Sequence, residues 1–281
     1  MTTIHEALRL SQQKLLQTEN PPLEASLLLS AVLQVPRATL YAYPERTLTP
    51  DQQQQLNQFL ERRAYGEPLA YLLQQKEFWS LTLQVTPDTL IPRPETEGLV
   101  EIALQRLDAS KPQRVADLGT GSGAIALALA SERPLWHITA TDHSATALVV
   151  AQQNAQRLSL SNINFRLGDW CEALENTFRY DAIVSNPPYI KINDEHLLGE
   201  IRFEPNAALV SGADGLDAIR EIIQQAPDYL RPEGWLLLEH GAEQGAAVRT
   251  LLQAAGFKDI FTARDLGQKE RCSGGIFSRQ T

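Results

Sequence analysis

The segment Asp117-Leu118-Gly119-Thr120-Gly121-Ser122-Gly123 constrains this chain more than any other. Val115 to Leu118 before it reads as a strand, and Ala124 to Ala130 after it as a helix. A strand that runs through a glycine turn into a helix is the opening unit of an open α/β sheet. Glycine lets the chain turn tightly and lets a ligand approach the backbone, and the helix behind offers unpaired amide donors. The alternation continues downstream. Strands are expected at Ile138–Thr141, Asn164–Leu167, Ala182–Ser185 and Trp235–Glu239, and helices at Ala145–Leu158, Ala218–Tyr229 and Val248–Ala255. Phe257–Ala263 and Gly275–Ser278 can pair as a closing hairpin. This pattern predicts an α/β fold with a doubly wound parallel sheet.

The chain ahead of this unit reads differently. Ile4, Ala7, Leu8, Ser11 and Leu15 follow a helical period, as do Leu23, Leu27, Leu28 and Val32. Asn20 before Pro21 is a helix start, and Thr49 with Gln52 makes a second start of the capping-box kind. Leu56, Phe59, Leu60 and Arg63 then share a face. Three parts are expected: a helical domain over residues 1–75, a hairpin linker over 76–92 that turns at Pro87-Asp88, and a catalytic domain over 93–281, with a helix resuming at Glu95.

Asp142 follows the second strand of the sheet, 19 residues after Gly123. A carboxylate there can accept both hydroxyls of a ribose. Gly121 and Asp142 together describe a nucleoside site without naming the nucleoside, because Gly119, Gly121 and Ala124 also satisfy the dinucleotide pattern. Asp117 favours S-adenosylmethionine: a carboxylate ahead of the loop suits an ammonium group and repels a pyrophosphate. Trp170, after the third strand, fits an adenine-flanking position.

Ser185-Asn186-Pro187-Pro188-Tyr189 closes the fourth strand, at the edge where such sheets bind ligands. The two prolines fix two backbone angles and remove two donors. The Asn186 side-chain oxygen and the Pro187 carbonyl remain as acceptors for a planar NH2 group, with the Tyr189 ring as a stacking face. Two acceptors aim the lone pair of a delocalised nitrogen at an activated methyl, and the rest is positioning.

These motifs resemble those of the class I S-adenosylmethionine methyltransferases. Ile91-Pro92-Arg93-Pro94-Glu95-Thr96-Glu97, Arg202-Phe203-Glu204-Pro205, Leu238-Glu239-His240-Gly241 and Gly66-Glu67-Pro68 extend the resemblance over nearly the whole chain. It looks like the protein glutamine methyltransferases that modify peptide chain release factors (the PrmC or HemK family). The resemblance implies an N-terminal helical bundle, a short hairpin linker and a Rossmann-like catalytic domain. It implies that Gly119, Thr120, Gly121, Ser122, Gly123, Asp142, Trp170 and Asn186 contact S-adenosylmethionine and its product S-adenosylhomocysteine. It implies that Asn186, Pro187, Pro188 and Tyr189 hold the glutamine of a release factor's Gly-Gly-Gln loop. His240 reads as structural, since a strand-end histidine usually is.

A net charge of −9 argues against a nucleic-acid partner, because phosphate contacts demand a basic surface. That disfavours the competing reading, a DNA or RNA exocyclic-amino methyltransferase, which would flip a base into the same pocket. A nicotinamide oxidoreductase would leave Asn186 to Tyr189 without a role. Cys171 and Cys272 do not have metal-ligand spacing, and no metal is expected. No apolar run reaches bilayer length and no secretory signal is visible, so a cytoplasmic monomer is the expectation.

Overall fold

The N-terminal helices form where their caps dictate. Thr3 and Glu6 make a reciprocal capping box at the head of α1 (Ile4–Lys14). Asn20 caps α2 (Pro21–Leu33) by accepting from the Leu23 amide at 3.2 Å. α3 (Arg37–Ala42) follows, and the Thr49–Gln52 capping box opens α4 (Pro50–Ala64) as expected. α5 (Leu69–Leu73) completes the set. Neither α3 nor α5 was expected, because helices this short span too few turns to show a period. The structure, a computed structural model, describes residues 2–278; residues 279–281, counted in the expected catalytic segment, lie outside them.

Two compact units are present: Met1–Gln75 with Leu198–Phe203, and Lys76–Leu197 with Glu204–Thr281. The first has its own core, which includes Ile4, Leu15, Leu28, Leu29, Leu56 and Leu60. Each such side chain contributes about 1.5–3 kcal/mol when fully buried. Arg63, on the same face of α4, is equally buried and is neutralised by Glu24 at 2.6 Å and Glu200 at 2.5 Å. The helical unit is therefore not contiguous in sequence: it takes in a segment from beyond the Asn-Pro-Pro-Tyr loop.

A hairpin follows, β1 (Gln75–Phe78) and β2 (Leu81–Gln84). Its turn is at Trp79-Ser80, both with positive φ, 52° and 59°, and not at Pro87-Asp88. Such a turn normally selects Gly or Asn. Here tertiary bonds hold it: the Trp79 amide donates to Glu97 and its indole to Glu132, each at 2.9 Å. Pro87-Asp88 forms a separate turn, in which the Asp88 amide donates to the Thr86 hydroxyl.

The rest runs α6 (Glu97–Arg106), β3 (Arg114–Leu118), α7 (Ala124–Glu132), β4 (His137–Asp142), α8 (Ala145–Arg157), β5 (Ile163–Leu167) and β6 (Tyr180–Ser185). α9 (Asp217–Gln225), β7 (Leu230–Glu239), α10 (Gly245–Ala254), β8 (Phe257–Arg264) and β9 (Glu270–Phe277) follow. α9 stops short of the expected Tyr229 because Pro227 cannot continue its bonding. The strand order is β5-β4-β3-β6-β7-β9-β8. β9 is antiparallel to both neighbours, so the sheet is mixed and not wholly parallel: the closing hairpin inserts its second strand between the first and the body of the sheet. One core packs α6 and α7 on the sheet through Leu99, Val100, Leu127 and Leu129; the other packs α9 and α10 through Ile219, Ile222, Val248 and Leu252. Every residue of β6 is buried, as in a strand covered on both faces. The chain reverses its strand order between β3 and β6, the place where such sheets bind ligands.

Candidate functional site

The glycine loop leaves β3 beside the end of β4, with Leu118 in register with Thr141. Gly119, Gly121 and Gly123 all have positive φ, 70°, 56° and 90°, a conformation that costs any other residue free energy. Two of them are also enclosed. A Cβ on Gly119 would sit 3.2 Å from the Trp170 ring, and one on Gly123 would sit 2.8 Å from Leu127. Gly121 has nothing within 4 Å, so its open side faces free space. Its amide donates to Asp142 Oδ2 at 2.9 Å, and the Ser144 amide donates to Asp142 Oδ1 at 2.9 Å. A carboxylate has about four lone-pair positions, so two remain for hydroxyl donors.

A cavity of about 270 Å³ opens here. Gly119, Gly121, Asp142, Trp170, Asn186 and Pro188 lie on its wall, together with Pro87–Leu90, Pro205, Ala207 and Ala208. The remaining residues expected at the cofactor are not on the wall. Asp117 is fully buried, and burial pushes its carboxyl up to about 7. Its Oδ2 receives the Thr120 hydroxyl at 2.6 Å and the Ala126 amide at 3.2 Å. Through Oδ2 it holds the loop onto α7, while its Oδ1 is buried without a hydrogen-bond partner. The Thr120 hydroxyl is committed to Asp117, the Ser122 carbonyl receives Asn154 Nδ2 at 2.9 Å, and Gly123 caps α7.

Asn154 had no expected role. It stands buried on α8 and ties the loop to β2: Nδ2 also donates to the Gln84 carbonyl, and Oδ1 receives the Gln84 amide at 2.7 Å. A polar side chain on the apolar face of a helix was the available signal.

β6 runs parallel to β3, with Ser185 beside Leu118, so the Asn186–Tyr189 loop emerges next to Gly119. The Ser185 hydroxyl fastens it by donating to the Leu118 carbonyl at 2.7 Å. Asn186 Nδ2 donates to Thr96 Oγ1 at 3.1 Å. Among the described residues, no protein donor is bonded to Asn186 Oδ1 or to the Pro187 carbonyl. Pro187 is buried, and Tyr189, half-buried, is not on the wall of this cavity: its hydroxyl donates to Glu239 Oε1 at 3.2 Å, and its carbonyl receives Gln244 Nε2 at 3.0 Å. Burial pushes the Glu239 carboxyl up to about 7, against the Thr96 and Tyr189 hydroxyls, and burial also pushes the Tyr189 phenol up. Thr96 and Glu239 lie in segments singled out in the sequence, but which of their atoms matter was not legible there. His240 is buried with both ring nitrogens engaged, by the Gly241 carbonyl at 2.9 Å and the Ser273 hydroxyl at 2.8 Å, and burial lowers its pKa.

Among the described residues, no helix is long and apolar enough to cross a membrane, and no group of three or more His, Cys, Asp or Glu side chains could hold a metal ion.

The family model for the PrmC N-terminal domain matches residues 6–73, and that for the methyltransferase small domain matches residues 99–256. The release factor glutamine methyltransferase of Coxiella burnetii is 52% identical, over 96% of this chain and 98% of its own. That of Pseudomonas aeruginosa is 52% identical over 98% and 99%, and that of Escherichia coli 49% over 96% and 97%. Among solved structures, the hMettl16 catalytic domain in complex with a MAT2A 3'UTR hairpin superposes with a TM-score of 0.58 at 17% identity, over 79% of this chain and 84% of its own. The Thermus thermophilus 16S rRNA N2 G1207 methyltransferase, in complex with AdoMet and guanosine, gives 0.56 at 20% identity, over 73% and 50%. These two show a shared methyltransferase fold. With both domains matched in order and about half of all residues identical across nearly the full length, the chain belongs to the release factor glutamine methyltransferase family.

Proposed function

We propose that this enzyme transfers a methyl group from S-adenosylmethionine to the side-chain amide nitrogen of the glutamine in the Gly-Gly-Gln loop of peptide chain release factors. One observation carries the chemistry: Asn186 Oδ1 and the Pro187 carbonyl stand without protein donors beside the glycine loop. The release-factor substrate is the one named in the relatives that match along the whole chain.

The cavity suits the cofactor. The two free lone-pair positions of Asp142 match the two ribose hydroxyls, Gly121 leaves open space, and Trp170 offers a flat face. When bound, S-adenosylmethionine supplies an activated methyl group and leaves as S-adenosylhomocysteine. The chain's own residues do the positioning. Asn186 Oδ1 and the Pro187 carbonyl receive the two amide hydrogens, and Pro188 closes the wall. Bonds that strengthen as the nitrogen loses planarity favour the transition state over the ground state. The proton becomes acidic as the methyl arrives, so no strong base is required. We assign release-factor docking to the N-terminal helical unit, and we place the enzyme in the cytoplasm as a monomer.

The test offers labelled S-adenosylmethionine to a mixture of purified release factor, RNA and DNA, and locates the label by mass spectrometry. Label on the Gly-Gly-Gln glutamine is expected. Label in nucleic acid and none in the release factor would overturn the reading.

A further inference from the structure

The Pro187 carbonyl can be steered only from the two ends of its loop. Pro187 and Pro188 have no amide protons, so the residues on either side of this peptide bond add no donor of their own. On the near side the anchor is the Ser185 hydroxyl, bonded to the Leu118 carbonyl at 2.7 Å. On the far side it is Gln244. Its Nε2 donates to the Tyr189 carbonyl at 3.0 Å and to the Asp214 carbonyl at 3.2 Å, and its Oε1 receives the Gly241 amide at 2.8 Å. A carboxamide nitrogen has two protons, and both are engaged. Two carbonyls at one end and an amide at the other settle which end is oxygen and which is nitrogen.

We propose that Gln244 is a positioning residue for the methyl transfer: by fixing the Tyr189 carbonyl it sets the direction in which the Pro187 carbonyl meets the substrate nitrogen. The proposal rests on the assignment of the Pro187 carbonyl to the substrate amide. The lever is short, because proline fixes φ at Pro188 and leaves little freedom between Tyr189 and Pro187.

Gln244 is poorly suited to its own helix. It stands at the N-cap of α10, where Ser, Thr, Asp or Asn would serve better, and its side chain makes no bond to the helix amides. A residue that breaks a local rule in this way points to a demand from elsewhere in the fold. The backbone is shaped around the same bond. Gly215 has φ 79°, and a Cβ there would sit 2.2 Å from the Tyr189 oxygen and 2.7 Å from Gln244 Nε2. Beyond Tyr189 the Ile190 amide donates to the Leu209 carbonyl at 2.9 Å, and the Ser211 amide donates to the Ile190 carbonyl at 2.8 Å. Through Asp214 and Gly241, Gln244 ties this paired segment to the end of β7. The acceptor loop is thereby held against the sheet at the residue that follows its prolines.

The experiment follows single-turnover methyl transfer from labelled S-adenosylmethionine to purified release factor, at increasing release-factor concentration. The wild type, Gln244→Met and Gln244→Glu are compared, and S-adenosylhomocysteine affinity and melting midpoint are recorded for each. Gln244→Met removes all three bonds. Gln244→Glu keeps the shape and the acceptor for Gly241 but sets a carboxylate against two carbonyls, so it carries the test alone where the methionine variant does not fold. Both should lose up to about 10²-fold in maximal rate, the scale of a small misplacement. The release-factor concentration at half-maximal rate and the S-adenosylhomocysteine affinity should stay close to those of the wild type. A lower melting midpoint with the maximal rate unchanged would make Gln244 merely structural. That result, or a loss carried entirely by release-factor or cofactor affinity, would overturn the proposal while leaving the proposed function intact. A wild type that labels no release factor would overturn both.

Discussion

Arg93 and Glu204 stand 111 residues apart in the chain and form an ion pair whose carboxylate side is 2% exposed. The second oxygen of Glu204 receives the Ile91 amide at 2.9 Å. One carboxylate thus fastens the strand of chain that leads to Thr96, just ahead of Pro205, Ala207 and Ala208 on the cavity wall. Glu204→Ala should destabilise the catalytic unit by about 1.5–3 kcal/mol, the range for hydrogen bonds to a charged group, and should weaken S-adenosylhomocysteine binding. Glu204→Gln keeps an acceptor for Ile91 and should lose less of both. Urea denaturation and calorimetry measure the two effects, and equal behaviour of the two variants would contradict this account.

The three glycines of the loop should respond differently to alanine. Gly123→Ala meets Leu127 at 2.8 Å in addition to an unfavourable φ, so it should cost the most stability. Gly119→Ala meets the Trp170 ring at 3.2 Å, and should disturb both stability and the adenine-flanking position. Gly121→Ala meets no atom within 4 Å. It should cost only the backbone term of about 1–2 kcal/mol while obstructing cofactor binding. Thermal unfolding and cofactor titration of the three variants give the order directly.

What the sequence made legible here was local. The cap at Asn20, the capping box at Thr49, the strand–glycine–helix unit and the strand over Ala182–Ser185 each state their structure within a few residues, and each formed as expected. What was missed depends on partners far away in the chain. The Trp79-Ser80 turn is held by Glu97 and Glu132. Asn154 is read as an ordinary helix residue until Gln84 and Ser122 are brought to it. Asp117 was legible as part of the loop, but whether its carboxylate faces the ligand or the helix depends on the side-chain packing of Thr120 and α7.

Arg63 shows the same limit and carries a prediction. By period it belongs with Leu56 and Leu60, and it is indeed buried, at 4%, because Glu24 and Glu200 reach it. Arg63→Met should destabilise the helical unit by about 3–5 kcal/mol, since Glu24 would be left as an unpaired buried charge. Arg63→Met combined with Glu24→Met should recover most of the loss, because a buried ion pair exchanges for apolar packing at little net cost. Thermal melts of the single and double variants decide it: a double variant no more stable than the single would contradict the pairing argument.

The last prediction concerns pH. Burial raises Asp117 and Glu239 from 3.8 and 4.5 to about 7 in the folded protein. Between those values the folded state keeps two protons that the unfolded chain has released. Stability falls with rising pH wherever the folded state binds more protons. The contribution of both groups is therefore fully present below the unfolded values and is lost as pH rises through 7. Below about pH 6.5 His240 works in the opposite direction, because it is held neutral in the fold and takes a proton on unfolding. Asp108, Asp214 and Asp265 are held below their ordinary values, so their contributions are lost only in acid, outside this window. From pH 6.5 to 8.5 the two carboxyls outweigh the residual opposing effect of His240, and each should remove about 1 kcal/mol of stability. Urea denaturation of the cofactor-free enzyme should show unfolding free energy falling by about 2 kcal/mol over that range. Glu239→Gln should roughly halve the slope. Stability that is flat or rising between pH 6.5 and 8.5 would mean that these two carboxyls titrate near their ordinary values and that neither is as fully desolvated as its position indicates.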